Sequence, residues 1–237
     1  MKAILFDLDG TLLPMDTEKF MKLYAKGITY AFRDFEEKDM IFKQIMSSVG
    51  VTVMDKLHKK NYDVFFEHFE ANMPKAKNEY IPIFDEFYKG AFEMVKEATY
   101  VSEAMVEAVQ ILKSKGYMLV IATNPIFPME ANKARIRWAG LDIRDFDHVT
   151  SFESNHYCKP NLDFYHEVLN HVGFKPEEVM MVGNDVQEDM CIKALGSQTY
   201  LITDHMINRQ SDKSSNVDYE GSYKSFLEYA KSLDSVI

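Results

Sequence analysis

The first strand that this sequence predicts ends in two acidic residues. The apolar run at positions 3–6 leads directly into Asp7 and Asp9, which are followed by Gly10 and Thr11. A short, continuously apolar run is typical of a strand buried on both faces, as in parallel sheets, whose ligands bind at the carboxyl ends of the strands. Two carboxylates at such an end repel each other unless a cation or a proton is present, so we expect a site here. The alternative is a solvated turn relaxed by Gly10.

Strands and helices alternate along the rest of the chain from Val101 onward. The pattern predicts strands at 117–122, 148–150, 179–182 and 200–202, and helices at 102–115, 129–138, 162–172, 188–194 and 223–233. Residues 212–222 are rich in Ser, Asn, Asp and Gly, which favours a loop before the last helix. Alternation at this spacing is typical of an α/β fold with a doubly wound parallel sheet.

About 110 residues separate the first two predicted strands, far more than a simple crossover needs. Apolar residues recur within this interval at helical spacing, which predicts an inserted, all-helical cap domain. They form three faces: Phe20, Leu23, Tyr24 and Ile28; Val64, Phe65 and Phe69; and Ile83, Phe84, Phe87 and Tyr88. We therefore expect a core domain at 1–14 and 101–237 and a cap domain at 15–100.

Two further segments place polar side chains after predicted strands. Thr123 and Asn124 follow the second strand, and Lys159 precedes Pro160, which suits the first turn of the next helix. Taken alone, the first segment is more typical of an ordinary turn and the second of a solvated lysine. At the same sheet edge as the two aspartates, however, a hydroxyl and a fixed cation would bind an oxyanion such as phosphate.

The segment from Gly183 to Asp189 follows the fourth predicted strand and is rich in oxygen-bearing side chains. Oxygen donors collected from several strand ends suit Mg²⁺, which keeps some of its waters. The alternative is a helix N-cap with acidic residues in its first turn, where the helix dipole favours them. Both interpretations can hold for different residues of the segment.

Charge and cysteine content exclude several classes of protein. The formal net charge is −10 without a basic block, which argues against nucleic acid or an anionic membrane as the main partner. Cys158 and Cys191 are the only two cysteines, without metal-site spacing, as expected in a reducing compartment. Neither a signal-peptide pattern nor an apolar run of membrane length is present, so we expect a cytoplasmic protein.

Taken in order, these segments resemble the four motifs of the haloacid dehalogenase superfamily of aspartate-nucleophile hydrolases. Asp7-x-Asp9-Gly10-Thr11 resembles the first motif, Thr123 the second, Lys159 the third, and Gly183-Asn184-Asp185-x-x-Glu188-Asp189 the fourth. The resemblance extends to about residue 203 and implies a Rossmann-like core. The long helical insert resembles a cap of the C1 type.

The resemblance implies a Mg²⁺-dependent phosphatase that acts on a small phosphorylated metabolite. Asp7 would attack phosphorus and form an aspartyl-phosphate, and Asp9 would protonate the leaving alcohol and then deprotonate water. Thr123 and Lys159 would hold the transferring phosphoryl group. Gly10 and Asn124 would lie beside it.

The resemblance also implies that Mg²⁺ is bound by the Asp7 carboxylate, the Asp9 carbonyl and the fourth motif. Members of the superfamily usually carry aspartate directly after the glycine of that motif, where this chain has Asn184. An amide oxygen can bind Mg²⁺ but brings no charge. We therefore expect Asp185 to replace it, with Asn184 as the alternative, and Asp189 to bind through water or to orient the site.

Two other functions remain open at this point. A phosphomutase of the β-phosphoglucomutase type would keep both aspartates, and a non-catalytic binding protein would keep only the fold. Asp9 argues against carbon–halogen hydrolysis, which the superfamily performs without an acid at that position. Polar cap residues that are candidates for substrate contact are Arg33, His58, Lys59 and Tyr88.

Overall fold

The structure is a computed structural model that describes residues 1–210 and 216–236. Residues 212–215 of the predicted loop, and residue 237 of the predicted core domain, lie outside the described residues. Within the described residues no helix is long and apolar enough to span a membrane.

Six strands of the described residues form one parallel sheet in the order β3-β2-β1-β4-β5-β6. Their bounds are β1 (Ala3–Phe6), β2 (Met118–Ile121), β3 (His148–Val149), β4 (Val179–Gly183), β5 (Gln198–Ile202) and β6 (Tyr219–Gly221). Strand β1 is buried and lies between β2 and β4, so that Phe6 is in register with Ile121 and Val182. The residues that follow these three strands therefore meet at one edge of the sheet.

The described residues form eight α-helices. Four belong to the insert that follows β1: α1 (Thr17–Ala31), α2 (Lys38–Met54), α3 (Asn61–Ala71) and α4 (Lys77–Lys89), followed by a 3₁₀ helix, Ala91–Ala98. The others are α5 (Glu103–Ser114), α6 (Met129–Trp138), α7 (Leu162–Val172) and α8 (Tyr223–Ser232). The predicted α/β fold with a parallel sheet is confirmed, and helices α5 to α8 begin and end within one or two residues of their predicted positions.

Two predicted elements differ from the structure. The predicted helix at 188–194 is a short 3₁₀ helix, Met190–Leu195. Because the Asp185 carboxylate accepts the N–H groups of Gln187 and Glu188, the chain forms tight turns there, and few residues remain before Gly196 ends the helix. Strand β6 lies in the predicted loop; being a largely exposed edge strand, it carries no apolar pattern.

Helices α1 to α4 and the 3₁₀ helix that follows them pack around aromatic side chains. Phe20, Tyr24, Phe69 and Phe87 are buried, as the predicted faces require. The Tyr24 ring lies 5.7 Å from that of Phe127, which follows β2, so this layer covers the sheet edge. An isolated bridge between Met15 and Thr99 closes the insert where the chain leaves and rejoins the sheet. We propose 15–100 as the cap domain on this basis.

Candidate active site

Most of the predicted site residues line one cavity of about 150 Å³ at the carboxyl edge of the sheet. Eight of the nine do so: Asp7, Asp9, Thr123, Asn124, Lys159, Asn184, Asp185 and Asp189. The ninth, Gly10, has a φ of +81°, and a Cβ added to it would lie 2.3 Å from the Asn184 side-chain nitrogen. Only glycine permits this turn to pass so close to the end of β4. The cavity is also lined by Arg135, Glu188, Arg209 and three apolar residues.

Lys159 lies between two carboxylates. Its Nζ is 2.8 Å from Asp7 Oδ1 and 2.6 Å from Asp189 Oδ1, and its side chain is almost completely buried. Burial alone would lower the pKa of the Lys159 ammonium, but the negative charges of Asp189 and Asp7 outweigh it and raise that pKa. Lys159 is therefore a fixed cation beside the predicted nucleophile.

Both oxygens of Asp189 are used within the protein. Oδ1 accepts from Lys159, and Oδ2 accepts from the backbone N–H of Asp185 at 2.9 Å. Burial raises the pKa of this carboxyl, and the Lys159 ammonium opposes that shift. A Cβ on Gly183 would lie 2.2 Å from Asp189 Oδ2, so the glycine at the end of β4 makes room for this carboxylate. Both Asp189 oxygens are therefore engaged, one by Lys159 and the other by the turn after β4.

The residues after β2 are held in place by hydrogen bonds to neighbouring strands. Thr123 is buried, and its carbonyl accepts from the Thr150 hydroxyl at 2.6 Å. The Asn124 side chain accepts from the Lys159 backbone N–H at 3.2 Å and donates to Glu188 Oε2 at 3.2 Å. Asn124 thus ties the third motif to the fourth.

Asp9 is held on one side only. Its Oδ2 forms an ion pair with Arg135, whereas its Oδ1 is a buried atom without a hydrogen-bond partner. About a third of the side chain is exposed (32%), and Asp9 lines the cavity. Burial raises the pKa of the Asp9 carboxyl, and Arg135 opposes that shift. One oxygen is therefore anchored by Arg135, and the other is buried without a hydrogen-bond partner.

Arg135 is a site residue that the sequence motifs did not indicate. It lies on α6 with a fully buried side chain, donates to Asn132 Oδ1, and places its guanidinium 4.3 Å from the centre of the Phe127 ring. Arg135 shares the buried face of α6 with Ala131 and Trp138. Asn132 is buried on the same face, so α6 has no clear apolar pattern that would have marked Arg135 as buried.

We expect Arg135→Met to destabilise the protein by about 1–3 kcal/mol, because the partly exposed Asp9 carboxylate loses its counter-ion and the buried Asn132 amide loses its donor. Arg137→Met is the matched control on the same helix: its partner Glu93 lies 2.7 Å away, but both side chains are about half exposed or more. Such surface pairs contribute about 1 kcal/mol or less. Urea denaturation of both variants measures the difference, and equal losses would contradict the buried role of Arg135.

The fourth motif uses its first two polar residues differently. Asn184 accepts from the Thr11 hydroxyl at 3.0 Å and donates to the His205 carbonyl at 2.6 Å. Asp185 caps the turn that follows it, and its Oδ2 lies 2.7 Å from an Arg209 nitrogen. Asn184 therefore joins the first motif to the end of β4, while Asp185 caps a turn, and not the N-terminus of the helix Met190–Leu195 as the alternative interpretation had expected. No motif indicated Arg209.

The oxygen donors of the cavity fit Mg²⁺ bound by few protein groups. Within the described residues there is no cluster of three or more His, Cys, Asp and Glu that could hold a metal ion. Asp7 and Asp185, however, line the same cavity as Asp9, whose Oδ1 is buried and unpartnered. Two carboxylates and a carbonyl are a typical protein contribution to a Mg²⁺ site, since this ion keeps several waters.

Comparisons with known proteins agree with the motifs and the fold. A family model for haloacid dehalogenase-like hydrolases matches residues 1–196. The chain is 29% identical over 202 residues to a glyceraldehyde 3-phosphate phosphatase of Methanothermobacter thermautotrophicus, covering 80% of each chain. It is 24% identical over 200 residues to the pyrophosphatase PpaX of Halalkalibacterium halodurans, covering 84% of this chain and 82% of that one. A solved haloacid dehalogenase-type phosphatase from Thermococcus onnurineus is superimposable along both full chains, with a TM-score of 0.61 and 22% identity.

Proposed function

Since the chain belongs to the haloacid dehalogenase-like hydrolase family and resembles its phosphatases, we propose that it hydrolyses small phosphate monoesters with Mg²⁺ and a phosphorylated Asp7. The observation that carries the proposal is the buried Lys159 between Asp7 and Asp189, in one cavity with Asp9. A charged nucleophile, a fixed cation for phosphate and a carboxyl with a free oxygen are the groups that phosphoryl transfer to a carboxylate requires.

In the first step, an oxygen of Asp7 donates an electron pair to phosphorus, and the bond between phosphorus and the leaving oxygen breaks. Asp9 gives its proton to that oxygen, so the alcohol leaves neutral and Asp7 carries the phosphoryl group. Lys159 lies 2.8 Å from Asp7, where its ammonium can bind a phosphoryl oxygen. Thr123 lines the same cavity and is proposed to bind another.

In the second step, water attacks phosphorus and gives a proton to Asp9. The bond between phosphorus and the Asp7 oxygen breaks, so that phosphate leaves and the Asp7 carboxylate is regenerated. Arg135 holds the Asp9 carboxyl in place throughout, and Asp9 lines the cavity where first the leaving alcohol and then the water would lie. The same carboxyl therefore serves as acid and then as base, as splitting the displacement into two steps requires.

Mg²⁺ would be held by the Asp7 carboxylate, the Asp9 carbonyl and Asp185. When bound, it supplies positive charge to the phosphoryl oxygens. The contacts of Asn184 support Asp185 as the ligand, because both ends of the Asn184 amide are engaged by Thr11 and His205. Asp185 Oδ2 is paired with Arg209, whose side chain is half exposed (52%), and Asp185 Oδ1 accepts from the turn that follows.

The proposal is tested by measuring phosphate release from a panel of phosphorylated metabolites, with Mg²⁺ and with excess EDTA. We expect turnover of at least one ester with Mg²⁺ and none with EDTA. β-Glucose 1-phosphate is included because appearance of the 6-phosphate, instead of free phosphate, would indicate a mutase. A protein that is inert on the whole panel with Mg²⁺ present would support a non-catalytic role.

We expect Asp9→Asn to slow turnover of alkyl phosphates by about 10²–10⁴-fold, because their alkoxide leaving groups need a proton from Asp9. p-Nitrophenyl phosphate has a leaving group that departs as an anion, so its first step will slow much less. The measurement is phosphoenzyme formation from each ester by rapid quench. Equal slowing of both esters would mean that Asp9 is not the proton donor.

A further inference from the structure

A second cavity of about 150 Å³ lies between the helices of the insert and the core, beside the candidate active site. We call it the aromatic chamber. Its lining is mainly apolar, and eight of its side chains are aromatic. Six come from the insert, Tyr24, Tyr62, Phe65, Phe66, Phe84 and Tyr88, and two from the core, Phe127 and Phe152. Of the four polar cap candidates, Tyr88 lines the chamber, whereas Lys59 is ion-paired with Glu67 at the surface.

The aromatic chamber adjoins the catalytic cavity through shared walls. Ile126 and Phe127, which follow Thr123 along the chain, line both cavities. The Arg135 guanidinium also lies over the face of the Phe127 ring. A phosphate ester bound at Asp7 and Lys159 would therefore have the chamber beside it, where the group attached to its phosphate could lie.

The charges of the chamber select against an anionic group. Among its described lining residues there is no lysine, arginine or histidine, and the two charged ones, Asp85 and Glu153, are acidic and exposed at its rim. The hydroxyls of Tyr24 and Tyr88 bond to each other at 2.6 Å, and burial raises the pKa of Tyr24 to about 12, so both remain neutral. A carboxylate or second phosphate placed here would lose its hydration without gaining a cation.

Volume limits the occupant further. An apolar protein cavity of about 150 Å³ is large enough to take up one benzene molecule. Aromatic walls pack edge-to-face against a ring, as the chamber's own residues do, for instance Phe65 and Phe152 at 5.4 Å between ring centres. A flat six-membered ring therefore matches the chamber in size and in surface.

From these observations we propose that the substrate is a phosphate monoester whose leaving alcohol carries one apolar ring and no negative charge. The ring occupies the aromatic chamber. This rests on the proposed phosphatase function, whose active site supplies the phosphate-binding end. Anionic esters of small acids, and pyrophosphate, are then poor substrates of this chain.

The test compares benzyl phosphate with ethyl phosphate and with 4-carboxybenzyl phosphate, three alkyl esters whose leaving groups depart by the same chemistry. We expect kcat/KM for benzyl phosphate to exceed that for ethyl phosphate by at least about tenfold, because the ring adds buried apolar area. The 4-carboxy ester is expected to lose most of that advantage, since its charge meets Asp85 and Glu153. Equal values for all three esters would overturn the proposal.

Val49→Phe tests the chamber itself. Val49 lies on α2 and lines the chamber, whereas Val51, on the same helix, is 41% exposed and does not. We expect Val49→Phe to lower the ratio of kcat/KM for benzyl phosphate over ethyl phosphate by about tenfold by filling the space. Val51→Phe is expected to leave that ratio unchanged. An unchanged ratio in Val49→Phe would show that the ring binds elsewhere.

Calorimetric binding of benzylphosphonate and ethylphosphonate separates this proposal from the proposed function, because neither compound can be hydrolysed. Tighter binding of benzylphosphonate, lost in Val49→Phe, supports the chamber even for a protein that hydrolyses no ester. Hydrolysis of the esters together with equal binding of the two phosphonates would overturn the chamber and leave the phosphatase function standing.

Discussion

Asp7→Asn will release phosphate at least about 10⁴-fold more slowly than the unaltered protein, because an amide oxygen has neither the charge nor the nucleophilicity of a carboxylate. The substitution keeps the shape of the side chain. Lys159 retains its second partner, Asp189, at 2.6 Å, so we expect the variant to stay folded. The measurement is steady-state phosphate release at saturating Mg²⁺, with the thermal unfolding midpoint recorded beside it.

Acid quench during turnover supplies the direct control for this prediction. The unaltered protein is expected to carry one acid-stable phosphoryl group on Asp7, and Asp7→Asn none. Asp34→Asn, a substitution of a cap residue with an 85% exposed side chain, is expected to behave as the unaltered protein. An adduct at another residue, or full activity in Asp7→Asn, would remove Asp7 from the mechanism.

Lys159→Met will destabilise the protein by about 3–5 kcal/mol as well as abolish turnover, because it leaves two carboxylates facing each other in a buried position. The side chains of Asp7 and Asp189 are only 11% and 0% exposed, so water replaces the ammonium poorly. Urea denaturation with a phosphate-release assay measures both effects. Lys193→Met removes an ion pair with Asp218 whose side chains are 33% and 28% exposed, and we expect it to lower the free energy of unfolding by about 1 kcal/mol or less.

A double variant separates the structural effect of Lys159 from the catalytic one. Adding Asp189→Asn to Lys159→Met removes one of the two opposed charges, so we expect recovery of about half or more of the lost stability. Activity is not expected to return, because the cation that binds phosphate is still missing. Loss of stability that Asp189→Asn does not relieve would mean that packing of the lysine stem, not charge, makes Lys159 important.

Much of the core was predictable from local pattern. The apolar run before Asp7 forms the central strand β1, and Ser102 and Gly173 mark a helix start and a helix end where the pattern placed them. These features are readable because burial on both faces, N-caps and left-handed C-caps each need particular residues at particular local spacings. Strand β6 was missed because an exposed edge strand needs no such residues.

The motif order also anticipated which residues gather at the candidate site. Asp7 and Lys159 are 152 positions apart, yet their atoms lie 2.8 Å from each other, as expected for residues that follow strands of one parallel sheet. The roles given to them in catalysis, and the Mg²⁺ ligands, remain predictions that the experiments above test. What no pattern indicated was Arg135, whose contact with Asp9 depends on how α6 packs against the sheet edge.

The sequence by itself determined the α/β alternation, the helical insert and the set of polar residues that follow the strands, because each depends on interactions between near neighbours in the chain. Only the tertiary structure decided that Arg135 anchors one oxygen of Asp9, that Asn184 is engaged at both ends, and that an aromatic chamber adjoins the cavity. These arise where surfaces distant in sequence meet, and strand order and helix packing, which local periodicity does not encode, set which surfaces those are.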